Sequence, residues 1–436
     1  MNAAEQRLAE IWLPLLNWRA GFRTVRLLRD LTGSEQWPRD RLEALQKAKL
    51  VSLLQAASRE VPFYRNGPYR ESSPEGSARD ILERLPILSR AAIQQAGGDM
   101  LNPTCKRVQR SRTGGTTGEP LEIWRDRATA AMGEAALWRG KSWAGIKPWD
   151  KAVAVKGFGK GSRLGRLRMR QLNKWVVPAF QPRSEERSKA QDLIRRVRPA
   201  VVEGYVTDLL SLAEGQDFSA AQVRAVLTTG EMLYPEQKKI LSAAFAAPVF
   251  SYYGCNEISS LAYECEHGAK HVVDEHVIME AVDDAGAAVW DRPGRLLVTD
   301  LDNRAMPLIR YELGDRGTLA REICACGRRL LVLSELAGRQ QDALCNAAGA
   351  RLSATFFAGR FRDFRHLGRF QLVQEDAHSV EILHEGAGAP ADAEAESIAE
   401  EIRQRLGSAM QIRTRRVDQI PLTARGKRLL IRGMKG

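Results

Sequence analysis

From Val223 to Gly254 the chain reads VRAVLTTGEMLYPEQKKILSAAFAAPVFSYYG. VRAVLTTGE and APVFSYYG are strand-like, and YPEQKKILSAAF between them is helix-like. The same alternation runs through the middle of the sequence. KAVAVKG, PAVVEGY and GRLLVTDL read as further strands, and SEERSKAQDLIRRV reads as another helix. Strands separated by helices predict an α/β fold with a largely parallel sheet flanked by helices. Residues 1–70 read as a helical lead-in, carried by LEALQKAKLVSLLQAASREV and ending before Pro62. After ELAGRQQD (Glu335–Asp342) the texture changes to a smaller unit with its own signals. RFQLVQE and SVEILHE are its strands, EAESIAEEIRQRLG its helix, and EGAGAPADAE a loop. This texture places the domain boundary at about residue 340, with a small α+β unit after it.

A chain of 436 residues exceeds what one core usually serves, which agrees with two domains. Hydrophobic residues make up 44% and charged residues 27%, the composition of a globular enzyme. The net charge of +13 is spread along most of the chain, so it reads as general solubility. The run Lys156–Lys174 concentrates seven of those charges without an acid. It fits a solvated loop equally with a docking patch for an acidic carrier protein, CoA phosphates or a membrane surface. Nucleic acid is not expected, because few aromatics interleave the charges. No apolar run approaches the roughly 18 residues of a membrane span. Glu5 and Glu10 argue against a secretion signal, and six cysteines do not form a disulfide framework, so the cytoplasm is the expected compartment.

Four elements carry chemistry. In SRTGGTTGEPLEIWRD, Thr113, Gly114, Gly115, Thr116, Thr117 and Gly118 offer backbone N–H groups and hydroxyls to an anion, without the lysine that ends a P-loop. Tyr252-Tyr253-Gly254 closes a strand, with Glu257 placed to hold Mg²⁺. In VTDLDNRAMPLIRYELGDRG, Asp315 follows a strand, where a carboxylate can accept both hydroxyls of a ribose. Lys427 lies in a basic C-terminal loop, LTARGKR. Each element alone also fits a strand cap, a surface ion pair or a solvated run.

In this order and spacing they resemble the adenylate-forming superfamily of acyl- and aryl-CoA ligases, adenylation domains and luciferases. The likeness is greatest to its phenylacetate–CoA ligase-like branch, with its capsular-polysaccharide-associated adenylating proteins. It runs through LLQAASREVPFYR, TGGTTGEP, TTGEML, YYGCNE, MPLIRYELGD, CACGR, GRQQD and LTARGK, nearly the whole chain. The resemblance implies that Thr113–Gly118 grip the ATP phosphates, Gly230 and Glu231 border the adenine, and Tyr253 stacks on it, with Gly254 among the nucleotide-binding residues. Asp315 would hold the ribose, Arg339 the ribose or phosphate, and Glu257 the Mg²⁺. Lys427 would bridge the acid carboxylate and the α-phosphate from a mobile domain at 343–436, which turns against the 1–338 domain about a hinge at 339–342 that includes Gln341 and Asp342. Tyr205, Thr229, Tyr252, Cys255 and Asn256 would line the acyl pocket, suiting an aryl or short acyl group, and Gly349 would let a thiol approach. The sequence departs from the family pattern at Asn256, Gln341 and Glu312-Leu313.

The expected reaction is ATP-dependent activation of a carboxylic acid to an acyl-AMP with release of pyrophosphate. Transfer to CoA would follow, with a carrier-protein thiol or an amine as the alternative acceptor. A non-catalytic binding protein is a further alternative. Separately, Cys265, His267, His271, Cys324 and Cys326 can close a structural Zn²⁺ site, or can be buried thiols and solvated histidines. The resemblance selects Cys265, His271, Cys324 and Cys326.

Overall fold

The computed structural model describes residues 8, 11–13, 15, 21–66, 69, 74–106, 108–112, 121–156, 167, 169–178, 184–339, 343–348, 351–353, 366–421 and 429–434. The helical lead-in contains α1 (Gly21–Ser34) and α2 (Arg39–Glu60). Helix α2 stops where Pro62 would remove the next backbone donor, and Val61 closes it by donating to the Ala57 carbonyl at 2.9 Å. Short α3 (Arg90–Ala96) precedes a hairpin of β1 (Gln109–Arg112) and β2 (Glu122–Arg125), and α4 (Arg127–Trp143) follows. The pair Arg112↔Glu122 brings the two ends of the Gly/Thr segment side by side.

One 11-stranded sheet organises the large unit. Its first half is parallel: β3 (Ala152–Lys156), β4 (Lys174–Pro178), β5 (Val201–Gly204), β6 (Ala225–Thr229) and β7 (Val249–Tyr253), in the order β4-β3-β5-β6-β7. Helices α5 (Ser184–Val197), α6 (Val206–Ala213) and α7 (Pro235–Phe245) form the crossovers. Val153, Val202, Val226 and Val249 point to the face that these helices cover, packing against Ile194, Leu209, Leu241 and Phe245. The opposite face carries Ala152, Val201, Leu227, Phe250 and Tyr252 against α4, and α1 packs outside α4. The apolar stretch of the lead-in is thus part of the core through Val25, Leu28 and Leu31.

The second half of the sheet is antiparallel. It comprises β8 (Ala262–Glu264), β9 (Lys270–Val272), β10 (Val277–Val282), β11 (Gly294–Asp300), β12 (Tyr311–Ala320) and β13 (Val332–Arg339). The expected parallel sheet is therefore half of a mixed one. Connections here are too short to hold a crossover helix, so successive strands turn back on their neighbours, except that β10 starts at the far edge and β13 returns to pair with β9.

Beyond it, β14 (Ala343–Cys345) pairs with β15 (Arg351–Ser353). A four-stranded sheet follows, made of β16 (Phe370–Asp376), β17 (Ser379–His384), β18 (Gln411–Arg416) and β19 (Ile431–Arg432), with α8 (Ala389–Leu406) laid across it. Ala395, Ile398, Ala399 and Ile402 form the buried face of α8. This helix corrects the reading of EGAGAPADAE as a loop. Only its first half is one, because Pro390 starts the helix, Asp392 sits in its first turn and alanine propagates it. Among the described residues, no helix is long and apolar enough to cross a membrane.

Candidate active site and metal centre

Strand alternation splits the end of β7. Tyr252 faces α4, and Tyr253 turns to the opposite side, into the cluster formed with β10–β12. There the Tyr253 hydroxyl donates to Asp315 Oδ2 at 2.6 Å. Asp315 lies within β12, directly across the ladder from Arg339 of β13. Immediately after Tyr253 the chain turns back so tightly that a Cβ on Gly254 would lie 2.0 Å from the Ser259 carbonyl oxygen. Glycine is required by that close approach. The turn, closed by Ser259 N–H on the Cys255 carbonyl at 2.7 Å, presents Glu257 to Tyr311 of β12, the strand that carries Asp315.

Glu257 Oε1 meets Arg90 Nη1 and the Tyr311 hydroxyl, each at 3.5 Å. These are long contacts, so the carboxylate has an oxygen to offer a cation, which fits a Mg²⁺ held by one carboxylate and substrate phosphates. Arg125 holds the turn from the hairpin, donating to the Asn256 carbonyl and, through Nε, to the Glu257 carbonyl at 3.4 Å. Arg90 and Arg125 were given no role by sequence reasoning. They reach the site across 167 and 132 positions, and nothing local marks them.

The neighbouring Arg310 has a different role. It adopts a left-handed backbone (φ 54°) and is buried, with Nε on Glu280 at 3.2 Å and its other nitrogens on the carbonyls of Glu83, Leu85 and Gly286. It clamps the Glu83–Leu85 segment and the Gly286 turn to the sheet.

The expected pocket residues separate. Tyr205, Thr229 and Tyr252 stand at the carboxyl ends of adjacent parallel strands, where open α/β sheets bind ligands. Gly230 turns the chain out of β6 with φ 75°, and Glu231 follows, half-buried. Cys255 packs with the Tyr253 cluster, and burial pushes its thiol far above the ordinary cysteine range, with Glu257 adding to the effect. Asn256 is exposed. The calls on Thr113, Gly114, Gly115, Thr116, Thr117, Gly118, Gln341, Asp342, Gly349 and Lys427 lie outside the described residues, as does most of Lys156–Lys174.

Two hairpins bring four sulfur and nitrogen donors together. Cys265 and His271 come from β8–β9, and Cys324 and Cys326 from the β12–β13 connection. Their ligand atoms all lie within 4.8 Å of one another. Cys265 Sγ is 3.7 Å from Cys324 Sγ, and Cys326 Sγ is 3.2 Å from His271 Nε2. Zinc–sulfur bonds of about 2.3 Å in a tetrahedron separate two sulfurs by about 3.8 Å, so the set fits Zn²⁺. Burial holds the His271 imidazole down to about 4, in the neutral form that ligates, and its Nδ1 lies 3.4 Å from the Leu330 carbonyl, leaving Nε2 toward the thiols. Trp143 packs edge-on against His271, ring centres 5.7 Å apart, and its indole donates to Glu35 at 2.8 Å.

Residues 344–433 match the CapK C-terminal domain. Over 329 residues the chain is 26% identical to the phenylacetate-coenzyme A ligase of Thermus thermophilus, covering 71% of this chain and 73% of that protein. Among solved structures it is similar to 2-hydroxyisobutyryl-CoA ligase in the postadenylation state in complex with 2-HIB-AMP. The TM-score is 0.74 at 17% identity, over 91% of this chain and 90% of that one. The same ligase in complex with 2-HIB-AMP and CoA in the thioesterification state gives 0.61 at 18% identity, over 91% of each chain.

Proposed function

The chain is a homologue of the phenylacetate–CoA ligases with the adenylate-forming fold, and from that premise we propose that it activates an aryl or short-chain carboxylic acid with ATP and passes the acyl group to CoA. The observation that carries this reading is the Tyr253–Asp315 pair at the carboxyl end of β7, with Glu257 in the turn that follows. A carboxylate on a strand and an aromatic ring against it suit a ribose and a base, and the next turn supplies the carboxylate for Mg²⁺. When bound, that ion would neutralise charge on the phosphates.

In the first step an oxygen of the acid carboxylate bonds to the α-phosphorus as pyrophosphate leaves. Lys427, in the 343–436 unit, would bridge the two reacting anions. Thr113–Gly118, which lie between β1 and β2 in the sequence, would hold the leaving phosphates, and Arg125 of β2 anchors that strand to the Glu257 turn. In the second step a thiol bonds to the acyl carbon and AMP leaves. The small unit would turn about 339–342, with Gly349 giving the thiol room. CoA is favoured over a carrier-protein thiol or an amine because the relatives are CoA ligases. Cys265, His271, Cys324 and Cys326 would hold a structural Zn²⁺.

ATP-dependent hydroxamate formation tests the reading, because hydroxylamine intercepts an activated acyl group whatever its natural acceptor. Across aryl and short-chain acids, the expected result is product with wild type and a loss of at least about 100-fold with Lys427→Ala. Product that survives the substitution, or folded protein that turns over no acid, would overturn it.

A further inference from the structure

The two adjacent tyrosines of β7 have opposite fates. Tyr253 is satisfied by Asp315 at 2.6 Å. Tyr252 is 8% exposed, and its buried hydroxyl has no hydrogen-bond partner among the described residues. Buried hydroxyls are nearly always paired, so an orphan at the carboxyl end of a parallel strand points to a ligand that completes it.

The groups around Tyr252 are already committed. The Tyr263 ring meets it edge-on at 4.6 Å, but the Tyr263 hydroxyl donates to Ser260 Oγ at 2.6 Å, and Ser260 donates to the Gly133 carbonyl at 3.0 Å. Glu203 lies on the same face of β5 and is held by Lys141 at 2.6 Å. Lys174, on β4, donates to the Asp150 carbonyl at 2.7 Å. Apolar side chains pack around them between sheet and helix: Leu227 and Phe250 from the strands, Met132 and Ala136 from α4. Burial, then Tyr263 and Glu203, hold the Tyr252 hydroxyl well above its ordinary range, so it stays a neutral donor and acceptor. A plain hydrocarbon acid would leave this oxygen unpaired. A second carboxylate would place an extra charge where Lys141 and Lys174 already have partners.

We propose that the acid activated by this chain carries a hydroxyl remote from its carboxylate, and that Tyr252 Oη is the group that pairs with it. This rests on the ligase reading above and narrows its substrate class. A site built to pair with a hydroxyl penalises the analogue that lacks it more strongly than an apolar pocket penalises a missing methylene.

The test uses the full chain, ATP and hydroxylamine with matched acid pairs: phenylacetate and 4-hydroxyphenylacetate, benzoate and 3-hydroxybenzoate, butyrate and 4-hydroxybutyrate. The expected result is a preference in kcat/KM of at least about 100-fold for the hydroxylated member of at least one pair. Tyr252→Phe should collapse that ratio toward one while its melting temperature stays close to that of wild type. Three results would overturn the proposal with the ligase reading intact: plain acids matching or beating hydroxylated ones in every pair, a Tyr252→Phe loss equal for both members, or a dicarboxylate such as succinate used best. Folded protein that binds ATP yet activates none of these acids would instead count against the ligase reading, and this inference would fall with it.

Discussion

Asp315 accepts from the Tyr253 hydroxyl at 2.6 Å, and the two residues are separated by 62 positions. That contact joins two motifs that the sequence presents separately. Their strands were readable because local apolar pattern is strong there, but the contact between them was not, and Asp315, expected after a strand, lies within β12. The arginines were not readable. Arg310 sits in the same quoted motif as Asp315 but is a buried clamp, and only the left-handed backbone and the Glu280 contact reveal it. Removing one partner of such a pair leaves an uncompensated charge, so Glu280→Leu should lower unfolding free energy by about 3–5 kcal/mol in denaturant titration. Asp315→Ala should act differently. Loss of charged hydrogen bonds to a ribose is worth about 1.5–3 kcal/mol, so KM for ATP should rise roughly 10- to 100-fold while kcat falls less. An unchanged KM in steady-state kinetics would remove Asp315 from the nucleotide site.

Among elements, α5 is read from sequence at its full extent, Ser184–Val197, because its apolar positions recur at helical spacing against a polar background. The start of α8 escapes such reading, since an Ala- and Pro-containing stretch has loop composition and helix propensity at once. The metal hairpins fall between these cases: Cys-x-Cys was visible, while selection among the histidines needed the likeness to relatives. Their placement shows what the ion would do. Strand β13 pairs with β9 through only Val332↔His271 and Leu333↔Lys270, so this seam within the antiparallel half of the sheet is thin where Cys326 approaches His271. A zinc ion would strap that seam. Cys326→Ser, or wild type washed with a strong chelator, should lose about one equivalent of zinc by elemental analysis and melt several degrees lower. The emission of Trp143, packed on His271, should change with it. Stoichiometric metal in Cys326→Ser would rule out this ligand set.

At the scale of the molecule, pH and domain placement both become measurable. His276 is fully buried, with Asp302 Oδ2 at 2.8 Å and Asp300 Oδ1 at 3.6 Å, and Lys49 binds the other Asp302 oxygen at 2.7 Å. Burial pulls the imidazolium down, yet Asp300 and Asp302 outweigh it and the pKa is raised. A raised pKa means the folded protein binds the proton more tightly than the unfolded chain. The resulting stability is complete below the ordinary histidine value of about 6.5 and is lost as pH rises through the folded value. Lys174 has the opposite sign: burial lowers it to about 8, so its contribution grows only on the alkaline side of that value. Between pH 6 and 8 the melting temperature of wild type should therefore fall relative to that of His276→Gln. Parallel curves would show that His276 does not titrate in that range.

The same ligase matches this chain over 91% of its length in two states, at TM-scores of 0.74 and 0.61. What the likeness shows is the fold; within this chain the small unit has its own place against the large one. What fixes the small unit in it is visible in one core cluster. Tyr234, at the start of α7 in the large unit, is buried among Leu344, Leu352, Leu372 and Ile398 of the C-terminal unit, with Met232 packed beside it. Sequence offered no signal for this, because an aromatic ahead of a helix proline reads as part of its own domain. Truncating a buried aromatic costs about 3–5 kcal/mol, as much as a modest interdomain contact can supply. Tyr234→Ala should therefore release the small unit: the radius of gyration from small-angle X-ray scattering should increase, while the unfolding of the large unit, followed by Trp143 emission, stays near that of wild type. An unchanged radius would mean that Tyr234 is ordinary core and that the two units are held elsewhere.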